Sequence, residues 1–282
     1  MTAILGGLGA ATFWAAGTLC SSRSSRLIGA GPALAWVMLI GLAALSPFLF
    51  LAGTPVGLGG VPLAWMVVSG AANLGGLVCI YTAFRIGKVS IIAPVASAEG
   101  AFAAVLAVAA GEQLAALQIL ALAVIAAGIA VAAASRQDTA DHGTHSAAAT
   151  LLAVAAAATF GLSLYSTARA SSDLPVAWVL LPARLFAVAA IAAPLALTAR
   201  LRLSRQALPL LVVAGLCEVL GLSAFAIGSR HGVAVTSVLG SQFAALAAVA
   251  AYFLFNERLA RLQLLGVAAT VLGVAWLSAL QA

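Results

Sequence analysis

Long apolar runs separated by short polar breaks dominate this sequence and constrain its fold more than any other feature. Roughly ten runs are each near the ~20 residues that an α-helix needs to cross a bilayer. Only 7% of the 282 residues are charged and 64% are hydrophobic, whereas a soluble domain carries about 25% charged residues. So few charges could not cover the surface of a fold in water, so the apolar surface must face lipid.

Most breaks between the runs carry residues that end helices, such as Gly31-Pro32, Gly53-Thr54-Pro55 and His231-Gly232. We therefore predict an all-α integral membrane protein with about ten transmembrane helices. The first run follows Met1 without a basic segment, so we interpret it as a helix and not as a cleaved signal peptide. The predicted helices are residues 2–20, 33–52, 62–84, 90–110, 114–134, 147–168, 175–198, 206–229, 232–254 and 260–280.

The two halves of the chain resemble each other. Short matches keep the same order and a nearly constant offset, which predicts a repeat at residues 1–134, a linker at 135–146 and a second repeat at 147–282. Because five helices per repeat is an odd number, the second repeat would enter the membrane the opposite way up. The clearest matches are Ala10–Phe13 with Ala157–Phe160, and Gly111–Leu114 with Asn256–Leu259.

No metal or cofactor site is expected. The linker holds Asp138, Asp141, His142 and His145, but its polar composition is typical of a flexible solvated connection. The remaining candidates, Cys20, Cys79 and Cys217, lie in or beside apolar runs at spacings that suggest neither a metal site nor a disulfide framework.

Basic residues set the expected orientation. The net charge is +6 with a sequence pI near 10.0, but these residues lie between apolar runs and form no nucleic-acid-binding patch. One set of loops holds nearly all of them, and the opposite set holds only Arg169 and Arg230. The positive-inside rule then makes the first set cytoplasmic and both termini extracytoplasmic in a plasma (inner) membrane. That first set is Arg23, Arg26, Arg85, Lys88, Arg136, Arg200, Arg202, Arg205, Arg258 and Arg261.

Ionisable residues inside the predicted helices are the main candidates for function, because a charge at helix centre costs about 2.5–3.5 kcal/mol on insertion scales. Glu218 and Glu99 are expected to bind a substrate or a proton, and would titrate as a pair if they share one cavity. Arg184 could neutralise either carboxylate, bind a substrate carboxylate or snorkel to the interface. The structural alternative for Glu218 is a neutral carboxylic acid that forms a hydrogen bond between helices.

Four further residues are weaker candidates for a cavity lining. Asn73 holds the repeat position of Glu218, and Gln242, Tyr81 and Trp14 lie on predicted helices 9, 3 and 1. Each of them could equally serve packing or interhelical hydrogen bonding. Glu112 and Glu257 lie just before predicted helices, where a carboxylate satisfies free N–H groups, so we interpret both as structural.

The paired segments Gly111-Glu112-Gln113-Leu114 with Gln118, and Asn256-Glu257-Arg258-Leu259 with Gln263, close the fourth helix of each repeat. With the five-plus-five plan, they make the sequence resemble EamA-type members of the drug/metabolite transporter superfamily. The resemblance implies a metabolite carrier, often an exporter, with a cavity lined by helices 3, 4, 8 and 9. Two features depart from many members: the termini are expected outside, and an arginine near Trp36 is missing, although Arg184 occupies the comparable place in helix 7.

The sequence thus favours a secondary transporter, and not an enzyme, that exports small metabolites such as amino acids or related compounds by alternating access. Its partners would be the substrate, the lipid bilayer and, if transport is coupled, protons; the working unit would be a monomer or a homodimer. The alternatives are a non-transporting scaffold or subunit, and an intramembrane lipid-modifying enzyme. The histidines His142, His145 and His231 are too few and too scattered to favour the enzyme.

Overall fold

The computed structural model describes residues 1–55, 58–86, 95–134, 145–243, 245–246 and 261–280, and this part of the chain contains helices and no strand. The main helices are α1 (Thr2–Ile28), α2 (Ala30–Ala52), α3 (Gly60–Ile86), α4 (Glu99–Ala109), α5 (Ala116–Ala134), α6 (His145–Ser171), α7 (Val176–Leu197, with a π-helical turn at Val188–Ala192), α8 (Leu208–Ser229), α9 (Val233–Gly240) and α10 (Arg261–Leu280).

Six of the described helices are long and apolar enough to cross a bilayer, namely α1, α2, α3, α6, α7 and α8. The apolar helix α4 and the apolar part of α5 that the structure describes are shorter. An all-helical fold with several such spans makes this a multi-pass membrane protein.

The boundary between the first two helices differs from the sequence-based expectation. Helix α1 continues to Ile28, well past the predicted end at residue 20, and the break falls at Gly29 instead of Gly31-Pro32. Gly29 adopts φ 94°, a backbone conformation that only glycine reaches without strain. Pro32 instead lies in the first turn of α2, where the missing N–H of proline costs nothing.

The predicted helices 4 and 9 are both interrupted, although each was expected to be continuous. A turn at residues 97–98 precedes α4, and a turn at 241–242 follows α9. When the first turn is shifted along the chain by the distance between Glu112 and Glu257, it falls within one residue of the second turn. Gly100 lets the two interruptions touch, because a β-carbon there would collide with the Ser237 carbonyl oxygen and the Ser241 side chain.

Helix packing is exchanged between the halves. Helix α1, the first helix of the first half, packs against α8, and α6, the first helix of the second half, packs against α3. Both contacts depend on glycine: a β-carbon at Gly6 would lie 2.5 Å from the Cα atom of Gly228, and one at Gly76 would lie 2.5 Å from the Phe160 ring. Such close approach of small residues is how helices associate where hydrophobicity gives no driving force.

Two tryptophan side chains brace opposite ends of the bundle in a reciprocal way. Trp36, near the start of α2, donates its indole N–H to the Arg202 carbonyl oxygen in the α7–α8 connection at 3.0 Å. Trp178, near the start of α7, donates to the Gly53 carbonyl oxygen in the α2–α3 connection at 2.8 Å. Each half thus holds the connection at the matching point of the other half.

Candidate functional site

An ion pair between Arg184 of α7 and Glu218 of α8 lies inside the helix bundle. An Nη2 hydrogen of Arg184 is donated to Oε2 of Glu218. The Arg184 side chain is fully buried and that of Glu218 is 23% exposed. Removing two charges from water costs several kcal/mol per ion, so a lone member would be strongly unfavourable, and the pairing explains how both are accommodated.

Helix α2 encloses the other side of the Arg184 guanidinium. Its Nη1 atom lies 3.4 Å from the Met38 sulfur atom, a weak acceptor, and its Nε atom has no hydrogen-bond partner among the described residues. Gly41 provides the room, because a β-carbon there would lie 3.0 Å from Nε. Sequence reasoning missed Met38 and Gly41, since neither residue type signals a charged neighbour.

Of the two carboxylates that were expected as possible partners of Arg184, the structure pairs Arg184 with Glu218. Arg184 pairs with Glu218, whereas Glu99 has no partner among the described residues. Glu99 was expected inside a continuous helix, but it is the first residue of α4 and is partly buried. The free N–H groups of a helix N-terminus favour a carboxylate at that position.

Serine and threonine side chains form a polar contact between α3 and α6 that sequence reasoning also missed. The Ser69 and Thr167 hydroxyl oxygens lie 2.6 Å apart, and Ser163 donates to the Ser69 carbonyl oxygen at 3.0 Å. Asn73 lies one turn beyond Ser69, and its buried Oδ1 atom has no hydrogen-bond partner among the described residues. The close spacing of Ser163, Ser166 and Thr167 was a readable signal of this contact.

Helix α9 is buried on every side from Ala234 to Gly240. Gln242, just past its end, is 4% exposed. The Gln242 Nε2 atom and the Ser237 hydroxyl have no hydrogen-bond partner among the residues described. These two polar groups lie beside the contact at Gly100, where the interrupted helices meet.

Trp14 packs inside the bundle against α8 and α9. Its ring fills the space left by Gly221 and Gly240, where added β-carbons would lie 2.5 Å and 3.2 Å from ring atoms. The ring centroids of Phe225 and Phe243 lie 6.2 Å and 6.3 Å from that of Trp14.

Glu112 caps a helix, but a different one from the helix that follows it in sequence. Its carboxylate accepts hydrogen bonds from the backbone N–H groups of Val233 at 3.1 Å and Ala234 at 3.2 Å, at the start of α9 in the other half. The next helix along the chain is served by Gln118, whose side-chain oxygen accepts the Ala115 N–H at 3.0 Å.

Arg230 makes a second contact at the same end of the bundle. It donates from Nε to the Ser171 carbonyl oxygen at 2.7 Å and from Nη2 to the Leu174 carbonyl oxygen at 3.1 Å. Two charged side chains, one from each half, therefore satisfy backbone groups of the second half at this end.

Several residues that the sequence singled out lie outside the described part of the chain. They are Glu257 and the side chains of Tyr81, Asp138, Asp141, His142 and His145. Among the residues that are described, no group of three His, Cys, Asp or Glu side chains could hold a metal ion.

The match to a known family covers the first half of the chain. Residues 1–134 match the EamA-like transporter family. A solved crystal structure, described only as that of a protein, superposes on 99% of this chain and 96% of its own with a TM-score of 0.82 at 17% sequence identity. That likeness shows a shared fold that extends through the second half. No match was found among curated proteins. Residues 1–134 are thus similar to the EamA-like transporter family, part of the drug/metabolite transporter superfamily.

Proposed function

We propose that this protein is a secondary carrier that exports small metabolites, such as amino acids or related compounds, across a plasma (inner) membrane. The observation that carries the proposal is the Arg184–Glu218 ion pair, buried within spans α7 and α8. Charged residues at bilayer depth are costly and mark substrate or ion pathways. The family supplies the class of activity, and the pair supplies a polar centre for it.

Alternating access would follow from two five-helix repeats of opposite orientation, residues 1–134 and 147–282. The exchanged packing of α1 with α8 and of α6 with α3 supports this arrangement. Two similar halves that are inverted relative to each other can swap conformations, which gives inward-open and outward-open states of similar energy around one central site.

The membrane orientation follows from the arginine distribution. The α7–α8 connection carries Arg200, Arg202 and Arg205, and we propose that this end is cytoplasmic with both termini outside. Tags at the two termini should be reached by a membrane-impermeant reagent in intact cells. Tags that become accessible only after the cells are opened would reverse the orientation.

Proton coupling would use Glu218 or Glu99. Among the described residues, Arg184 of α7 is the charged side chain that contacts Glu218. A carboxylate that exchanges a proton in step with the conformational change would make flux depend on pH. Replacing the coupling residue by its amide should then remove that dependence.

Reconstituted vesicles test the function directly. Vesicles loaded with a mixture of proteinogenic amino acids should release some of them faster with the wild-type protein than without protein, measured by mass spectrometry of the external solution. Glu218→Gln should slow this release, whereas Asp173→Asn, which removes an exposed carboxylate at the α6–α7 turn, should not. Release that is identical with and without protein for every compound would reject a carrier of this class in favour of a non-transporting subunit.

A further inference from the structure

Glu218 lies on the face of α8 that points into the bundle. Successive helix residues are about 100° apart, so side chains separated by three, four or seven positions share one face. Leu216 and Leu220 occupy the opposite face, where they are 42% and 47% exposed and available to lipid. The residues that share the face of Glu218 are all buried: Leu211, Ala214, Leu222 and Phe225.

The exposed part of the Glu218 side chain therefore borders an interior space. Every neighbour on its face is buried, yet 23% of the Glu218 side chain remains accessible. Exposure to lipid would instead require a position near Leu216 or Leu220. The carboxylate is thus partly open on the side where a carrier would hold its substrate.

Arg184 is closed to any such substrate. Its side chain is fully buried, with Glu218 at Nη2, the Met38 sulfur atom at Nη1 and Gly41 beside Nε. A substrate carboxylate could reach the guanidinium only after Glu218 had left it. Of the ion pair, only the Glu218 carboxylate therefore faces the interior, and a carboxylate accepts hydrogen bonds.

One oxygen of that acceptor is unused. Arg184 is bonded to Oε2, and Oε1 has no hydrogen-bond partner among the described residues. Each oxygen of an ionised carboxylate accepts about two hydrogen bonds, so Oε1 retains its capacity for an N–H donor. One turn further along α8, the Trp14 ring packs on Gly221.

We propose that Oε1 of Glu218 is the substrate-facing atom of this carrier and that it selects compounds bearing an ammonium group. Arg184 acts as a positioning residue that holds Oε2 and does not touch the substrate. This inference rests on the proposed carrier function and adds the chemical class of the substrate. It excludes carboxylates without an amino group as preferred substrates.

Two probes of matched shape separate the classes. Phenethylammonium and hydrocinnamate place an ammonium or a carboxylate on the same phenylethyl body. Binding to the detergent-solubilised protein is measured by thermal shift, since a ligand of the folded state raises the midpoint of unfolding by mass action. We expect phenethylammonium to bind at least about tenfold more tightly than hydrocinnamate.

Substitutions at Glu218 test whether its carboxylate causes the preference for the ammonium probe. Glu218→Gln should abolish the preference for the ammonium probe, and Asp173→Asn should retain it. Because Glu218→Gln leaves Arg184 unpaired, the double variant Arg184→Gln with Glu218→Gln provides a second, charge-free test with the same expected result. Arg184→Lys should keep the preference, which a substrate-binding arginine would not allow.

Two results would contradict the assignment of ammonium selectivity to Glu218. Hydrocinnamate binding as tightly as phenethylammonium, or an ammonium preference that survives in both Glu218 variants, would overturn the proposal. Either result would leave the carrier function standing, because the vesicle assay measures release of unselected amino acids. Absent release combined with intact ammonium selectivity would reject the carrier and support the site.

Discussion

The two halves of this protein share their packing partners but differ in charge at the matching interior positions. In the second half, Arg184 of α7 and Glu218 of α8 form a buried ion pair. In the first half, the signature offset places Asn73 of α3 at the position of Glu218. Residues 35–37 and 177–179 both read Ala-Trp-Val, and this alignment places Leu42 of α2 at the position of Arg184.

The difference shows that similar helix packing in the two halves does not require the same interior chemistry. Both halves use glycine at close helix contacts and a tryptophan near the start of the second helix. Only one half of the described bundle places an ion pair in the interior. A second pair would require two more desolvated charges, each costing several kcal/mol before pairing. We call the second-half positions, Arg184 and Glu218, the charged wall. The matching first-half positions, Leu42 and Asn73, are the neutral wall.

The largest expected effect comes from breaking the pair. Arg184→Ala should destabilise the protein by about 3–5 kcal/mol, because it leaves the Glu218 carboxylate without its cation. The measurement is the free energy of unfolding in detergent. The double variant Arg184→Met with Glu218→Gln removes both charges and should recover most of the loss. Equal destabilisation of the single and double variants would show that packing, and not charge pairing, dominates here.

Crowding the pair from the opposite half should cost less. Gly41→Ala places a methyl group 3.0 Å from the Arg184 Nε atom and 3.4 Å from Val219, and overpacking of this kind costs about 1–3 kcal/mol. Gly75→Ala is the matched control, because its methyl group would lie 3.9 Å from Thr159, an ordinary contact. Similar thermal midpoints for the two variants would contradict the tight fit around the guanidinium.

The contact between halves at Glu112 should rank third. Glu112→Ala removes the acceptor for the first N–H groups of α9, and loss of a helix cap costs about 0.5–2 kcal/mol. Hydrogen exchange at the amides of Val233 and Ala234 should accelerate, with little change in the middle of α8. Unchanged exchange at both amides would mean that the cap does not hold α9 in solution.

The smallest effect is expected on the neutral wall. Asn73→Leu removes a buried oxygen that lacks a hydrogen-bond partner among the described residues, so the change in stability should stay within about 1 kcal/mol and could be favourable. Glu218→Leu at the matching position should be clearly destabilising, because it strands Arg184. Equal losses from the two substitutions would remove the distinction between the walls.

Sequence reasoning predicted much of this architecture, because apolar run length reports transmembrane helices directly. It placed α8 at residues 206–229, close to the observed Leu208–Ser229. It failed where local chemistry is ambiguous: either Gly29 or Gly31-Pro32 could end α1, and nothing in the apolar segment of predicted helix 9 announces the turn at residues 241–242.

The candidate site was predictable in part. Intramembrane charge singled out Glu218 and Arg184, but three partners for Arg184 were equally compatible with the sequence. Their choice depends on how α7 faces α8, which is a property of packing. Glu112 illustrates the same limit, because its position before α5 suggested a local cap whereas tertiary contacts place it at α9, in the other half.

The most direct measurement of the central claim is the accessibility of position 218. In a chain lacking Cys20, Cys79 and Cys217, Glu218→Cys should react with a water-soluble ethylsulfonate thiol reagent, because the position borders the interior space. The added sulfonate would also restore an anion beside Arg184, so the thermal midpoint should rise on modification. Leu216→Cys, on the opposite face of α8, should remain unmodified. An inert thiol at 218 together with a reactive thiol at 216 would contradict the account.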